Sequence, residues 1–150
     1  CAELGADELI NYRELDFVEV LRDATNGVGA NVILDVVGAK YLDRNLAALA
    51  NGGRLVVIGL QGGRKAELDL GTLLSKRAAV VATSLRARPP AEKATIVAAV
   101  REHVWPLVAA GRVRPVIHQR FALADAADAH RLMEQSSHIG KILLDVERTT

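Results

Sequence analysis

Gly38 and Gly59 are the residues whose type and spacing most suggest chemistry. Each ends an apolar run, "NVILDVVG" and "RLVVIG", and a single helical stretch lies between the two runs. In an open α/β sheet, ligands bind beyond the carboxyl ends of the strands. A glycine there can take φ > 0 and lets a ligand approach the backbone where a Cβ would collide. Either glycine alone reads as a plain turn residue. Two at successive strand ends, the second opening "GLQGG" (59–63), point to a ligand. The pair reads as half of a nucleotide-binding sheet. "GVGAN" (27–31) begins like a dinucleotide fingerprint, but it precedes a strand and lacks the third glycine, so it reads as a loop.

Other chemistries find little support. His103, His118 and His130 have no metal-ligand spacing and read as surface or helix-face residues, and no metal site is expected. The chain has no thiolate cluster and no G-x-S-x-G elbow, so neither zinc nor serine chemistry is indicated. No residue is a convincing acid, base or nucleophile, and the catalytic residues stay unassigned. A formal net charge of +1 gives no electrostatic footprint for nucleic acid or an anionic membrane. No apolar run approaches the roughly 18 residues of a membrane span, and no signal peptide is evident. The single cysteine, Cys1, cannot form an internal disulfide, which makes a cytoplasmic location the expectation.

The elements that would carry the glycines follow from periodicity. Half of the 150 residues are hydrophobic, enough for one domain-sized core. The opening "CAELG" reads as the last turn of a helix with Gly5 as its C-cap, as though the chain were a piece of a longer protein cut within that helix. "DELIN" (7–11) is a strand candidate, and "DFVE" (16–19) is a capping-box pattern that opens a helix. Val32–Val37 is a continuous run, broken only by Asp35, and fits a strand covered on both faces. The following helix, with Leu42, Leu46 and Leu49 on one face, is expected to end at Gly52-Gly53. "RLVVIG" (54–59) and "AVVATSL" (79–85) are two further strands, with a short helix in "LDLGTLLSKR" (68–77). Strand–helix–strand with continuous runs is a βαβ unit in a parallel sheet.

Residues 89–111 read as a long helix that Pro106 kinks or restarts. Ile96, Val97, Val100, Val104, Leu107 and Val108 are expected to face inward. After Gly111 the character changes: "RPVIHQRFAL" alternates, "ADAADAHRLMEQ" is an amphipathic helix and "GKILLDV" is a closing strand, ahead of a frayed "ERTT" tail.

Four stretches taken together, "LGADELINYRELDF", "NVILDVVG…YLDRNLAALANGGRLVVIGLQGG", "LLSKRAAVVATSLRAR" and "AHRLMEQSSHIGKILLDV", resemble the C-terminal half of the medium-chain dehydrogenase/reductase superfamily. The resemblance is nearest to its zinc-independent NADPH:quinone oxidoreductase branch, the zeta-crystallin type. It implies an α/β fold: the C-terminal part of a Rossmann doubly wound parallel sheet plus a C-terminal segment that completes the catalytic domain. Residues 1–108 would be the nucleotide-binding domain without its first two strands, and 109–150 the return into the catalytic domain. The full protein would be about twice this length. The 150 residues alone would bind NADPH poorly and reduce no quinone.

The activity implied is hydride transfer from NADPH to a quinone or an α,β-unsaturated carbonyl, with the cofactor carrying the chemistry. A zinc-dependent alcohol dehydrogenase of the same superfamily, or a non-enzymatic nucleotide-binding or dimerisation module, stays open as an alternative. A homodimer paired through strand 79–85 is implied as well. Carried over by position, Tyr12 would lie beside the adenosine ribose and its 2′-phosphate, with Arg13 close by. Val36, Val37 and Gly38 would line the adenine and ribose side. Gly59, Leu60 and Gln61 would pass the nicotinamide ribose, and Ser84, Leu85 and Arg86 the nicotinamide end. His138 stands where the family usually has asparagine in N-x-G-K, just before Gly140-Lys141, and can also donate a hydrogen bond. On this reading Gly38 and Gly59 leave room for riboses, and alanine at either would fold yet bind cofactor more weakly.

The Tyr12 assignment is testable directly. Tyr12→Phe deletes a hydroxyl bond to a charged group, worth about 1.5–3 kcal/mol. NADPH affinity of the full-length protein should fall while NADH affinity barely changes, as read by parallel titrations of the two cofactors.

Overall fold

The computed structural model describes residues 1–146, which fall into two compact units, Cys1–Arg88 and the chain from Pro89 onward. The first opens with a 3₁₀ turn, Ala2–Leu4, capped by Gly5 at φ 92°, as its sequence indicates. The segment 7–11 is not a strand. No described strand lies beside it, and an extended chain without a ladder partner has no sheet to join.

Helix α1, Phe17–Ala24, starts at Asp16, whose carboxylate accepts from the Val18 N–H. The same carboxylate pairs with Arg44 at 3.2 Å, and the Arg44 guanidinium lies over the Phe17 ring at 4.4 Å. The Val18 N–H and the Arg44 bond together hold the Asp16 carboxyl below its ordinary pKa. Since Arg44 belongs to α2, Leu42–Ala48, this cluster fastens α1 to α2.

The sheet is parallel, in the order β1-β2-β3, with β1 at Ala30–Asp35, β2 at Leu49–Val57 and β3 at Ala79–Ala82. α2 crosses from β1 to β2, and α3, Leu70–Lys76, crosses from β2 to β3. β2 begins immediately after α2, so Gly52-Gly53 lies within the strand rather than at the end of the helix. The pairing with β1 jumps there, from Ala30↔Leu49 to Val32↔Arg54, which is a bulge with Gly52 at φ 75°. The helix end is satisfied from elsewhere: Lys76 Nζ donates to the carbonyls of Ala47 and Leu49 at 2.8 and 2.6 Å. Burial, and then the Arg22 charge, lower the Lys76 pKa.

The core is Leu46, Leu49 and Leu55, with Ile33, Leu42, Val57, Leu73 and Val80 packed against it. It lies on the face that α2 and α3 cover. Within this chain the opposite face is open, with Val32 56% and Leu34 66% exposed. The expectation of a strand covered on both faces is therefore not met: residues alternate along β1, with Ile33 and Asp35 in and Val32 and Leu34 out.

In the second unit the long helix restarts, as the proline requires. α4 spans Pro90–His103 and α5 spans Trp105–Ala109, with Pro106 in the first turn of α5. The face expected to point inward does not: Val97, Val100, Val104 and Val108 are exposed, and Ile96 and Leu107 are half-buried. The remaining elements of this unit pack with one another instead, in a second parallel βαβ of β4 (Ile117–Ala122), α6 (Ala126–Glu134) and β5 (Lys141–Asp145). No helix among the described residues is long and apolar enough to cross a membrane.

Leu55 is wholly buried at the centre of the first core. Leu55→Ala should lower the stability of this unit by about 2–5 kcal/mol, measured as a shifted midpoint in urea unfolding.

Candidate functional site

β1, β2 and β3 run parallel, so their carboxyl ends and the loops that leave them share one edge of the sheet. The first two loops are bonded to each other. The Ile58 N–H donates to the Asp35 carbonyl at 2.8 Å, Gln61 N–H to Val36 at 3.2 Å and Gly62 N–H to Val37 at 2.7 Å. In return, the Ala39 N–H donates to the Gly63 carbonyl at 3.1 Å. Beyond β2 and β3 lies a cleft of about 520 Å³, walled by Val57, Gly59 and Leu60 on one side and Ala82, Thr83 and Ser84 on the other. Its walls are chiefly aliphatic, with the two hydroxyl residues on the β3 side.

Of the residues expected from sequence, Gly59, Leu60 and Ser84 line this cleft. Val36, Val37, Gly38 and Gln61 build the bonded loop pair behind it. Leu85 and Arg86 follow Ser84 and are exposed. Tyr12 and Arg13 are exposed on the irregular segment before α1, and none of the bonds that build the loop pair involves them. His138 belongs to the second unit and is half-buried. Its ring meets His118 edge-on with centroids 6.2 Å apart, and its Nδ1 is buried without a hydrogen-bond partner. Among the described residues no three histidine, cysteine or acidic side chains cluster as a metal site.

The glycines have a different physical basis from the one expected. A Cβ on Gly38 would lie 2.8 Å from the Gly63 carbonyl oxygen, and one on Gly59 would lie 2.7 Å from that of Val36. The room they leave is filled by the neighbouring loop. Gly38 also sits at φ 80°, where any side chain is strained, whereas Gly59 has an ordinary φ. Sequence reasoning also passed over two residues. Asp35, only 5% exposed, accepts from the N–H groups of Val37 and Gly38 at 2.8 and 2.9 Å. An aspartate closing a buried run two or three residues before a glycine is a turn signal that could have found it. Arg88 donates to the Ser84 carbonyl at 3.0 Å and to the Thr83 hydroxyl at 3.1 Å, and so holds the cleft's third loop.

The glycine substitutions therefore have a revised outcome. Gly59→Ala should cost about 1–3 kcal/mol of stability, as overpacking does, with any loss of cofactor affinity following from the displaced loop. Urea unfolding and cofactor titration of the same variant check this.

Residues 4–144 match the family described as zinc-binding dehydrogenase. Escherichia coli quinone oxidoreductase 1 is 31% identical over 142 residues, covering 93% of this chain and 43% of that protein. A phenolphthiocerol/phthiocerol polyketide synthase of Mycobacterium tuberculosis is 30% identical over 97% of this chain, but over only 7% of its own length. The chain thus spans less than half of either relative. Among solved structures, E. coli quinone oxidoreductase complexed with NADPH superposes with a TM-score of 0.78 at 29% identity, covering 96% of this chain and 45% of that one. An NAD-dependent alcohol dehydrogenase gives 0.77 at 30% identity, covering 97% and 40%. With 4–144 matched and the parallel sheet shared with these enzymes, the chain belongs to the zinc-binding dehydrogenase family of the medium-chain dehydrogenase/reductase superfamily, with quinone oxidoreductases among its relatives.

Proposed function

We propose that this chain forms the cofactor-binding portion of an NADPH-dependent oxidoreductase that reduces a quinone or an α,β-unsaturated carbonyl. The observation that carries the reading is the cleft at the carboxyl ends of β2 and β3, in a chain whose structural relatives include an NADPH complex. The cleft fits one end of a nicotinamide nucleotide. Its volume lies within the roughly 300–1,000 Å³ of small-molecule sites, its aliphatic wall suits a flat ring, and the Thr83 and Ser84 side chains can hydrogen-bond a ribose or carboxamide.

When bound, the nicotinamide supplies the hydride. The chain's own residues bind and orient: Leu60 and Val57 shield one side of the cleft from water, and Arg88 holds the Thr83–Ser84 loop in place. Gly59, Leu60, Gln61, Ser84, Leu85 and Arg86 serve the nicotinamide end on this reading. Val36, Val37 and Gly38 serve the adenosine end, together with Tyr12 and Arg13. β3 is the last described strand at its edge of the sheet, and Val81 on it is exposed, which supports pairing with a second copy. A second reading, an alcohol dehydrogenase using zinc held elsewhere in the full protein, draws on the family match and on the NAD-dependent neighbour.

One assay separates the two. The full-length protein should oxidise NADPH with a quinone or an enone, with no loss of rate after treatment with a chelator. Alcohol oxidation with NAD⁺ that a chelator abolishes would establish the second reading instead. Turnover with neither pair would leave a non-enzymatic nucleotide-binding module.

A further inference from the structure

We infer that Asp35 is the positioning residue of the cleft: its buried carboxylate sets the turn after β1, and through that turn the loop after β2 that walls the cleft. The inference deepens the nucleotide-binding reading and rests on it. Three bonds converge on this one residue. One carboxylate oxygen takes the Val37 N–H at 2.8 Å, and the other takes the Gly38 N–H at 2.9 Å. Its backbone carbonyl takes the Ile58 N–H at 2.8 Å, at the point where β2 gives way to the second loop. The side chain thus shapes one loop while the main chain anchors the other.

A carboxylate suits this site. The two N–H donors arrive from successive residues and are met by different carboxylate oxygens, Val37 by one and Gly38 by the other. Asparagine offers one oxygen and turns an NH₂ towards the second donor, leaving a buried N–H facing another N–H. Among the described residues Asp35 has no ion-pair partner, so backbone N–H groups carry its charge, in the manner of a charge-assisted cap.

The consequence passes from loop to loop. With both N–H groups held, Gly38 is fixed at φ 80° and ψ −133°, and this turn aims the carbonyls of Val36 and Val37 at the N–H groups of Gln61 and Gly62. Gly62 is itself packed so closely that a Cβ would stand 2.7 Å from Val37 Cγ1. Gly59 and Leu60, which wall the cleft, lie between the Ile58 anchor and these bonds. Their position is therefore set from β1, although no residue of β1 lines the cleft.

Asp35→Asn in the full-length protein tests this by amide hydrogen exchange and by NADPH titration. Amides of residues 36–39 and of 59–63 should both exchange at least tenfold faster, those of Leu46 and Leu55 should stay as they were, and the NADPH Kd should rise tenfold or more. Acceleration confined to Val37 and Gly38, acceleration spread evenly through Leu55, or loosened loops with unchanged affinity would each overturn the inference. Should the variant not fold, the wild-type protein decides. The Val37, Gly38 and Gly62 amides should be protected and share one opening rate, and exchange of Val37 and Gly38 at free-chain rates would overturn the proposal. A wild-type protein that does not bind NADPH would defeat the nucleotide reading, while the exchange data would still settle what Asp35 holds.

Discussion

Two parallel strands joined by a helix release the chain at the same end of the sheet, and there the ladder bonds stop. The peptide groups just past β1 and β2 must find other partners or remain in water. Here they find one another, through Gln61 and Gly62 on Val36 and Val37, and through Ala39 on Gly63. Cross-bonding of this kind needs the two turns in contact, and that contact is what excludes side chains at Gly38 and Gly59. The cleft is the space left on the β3 side. Its third loop continues the sheet only as far as the Thr83 N–H on Val57, and beyond that it relies on Arg88.

Several of the chain's cations are engaged in the same way. Lys76 sits on the carbonyls that end α2, Arg44 bridges Asp16 and two aromatic rings, and Arg88 holds a loop. The anions mirror them at the opposite polarity of backbone: Asp16 and Asp69 cap α1 and α3, and Asp35 caps a turn. A formal charge of +1 therefore conceals a set of local ion-to-backbone contacts that shape helix ends and loops, which is where parallel α/β architecture leaves peptide groups unpaired.

What the sequence reveals divides along the same line. Strands β1, β2 and β3, helix α3 and the restart at Pro106 are legible, because each follows from local composition or from the missing proline donor. The faces are less so. Val32 and Leu34 have the composition of core residues, yet within this chain they are exposed, and the same is true of Val97 and Val100 on α4. Apolarity tells that a face wants covering, and periodicity says nothing of what stands opposite. Segment 7–11 has strand composition but no neighbour to bond among the described residues, and Gly52-Gly53 marks a break in regularity without saying whether helix or strand is the one interrupted. At the site, the strand-end residues were found by topology, whereas the roles of Asp35 and Arg88 depend on which backbone groups converge on them in space.

A glycine in a sequence says that a side chain is absent, and two separate constraints can account for that. Gly52 illustrates the first, a left-handed φ with open space around the missing Cβ. Gly59 illustrates the second, an ordinary φ with the Val36 carbonyl where the Cβ would stand. Gly38 is under both, since its φ is held by Asp35 and its missing Cβ would meet Gly63. A ligand is a third reason that looks identical in sequence. The three can be told apart only by what occupies the space, and at both strand ends that occupant is the neighbouring loop. The two glycines therefore act on the cleft indirectly: they let the loops close on each other, and the closed pair then presents Gly59 and Leu60 as a wall.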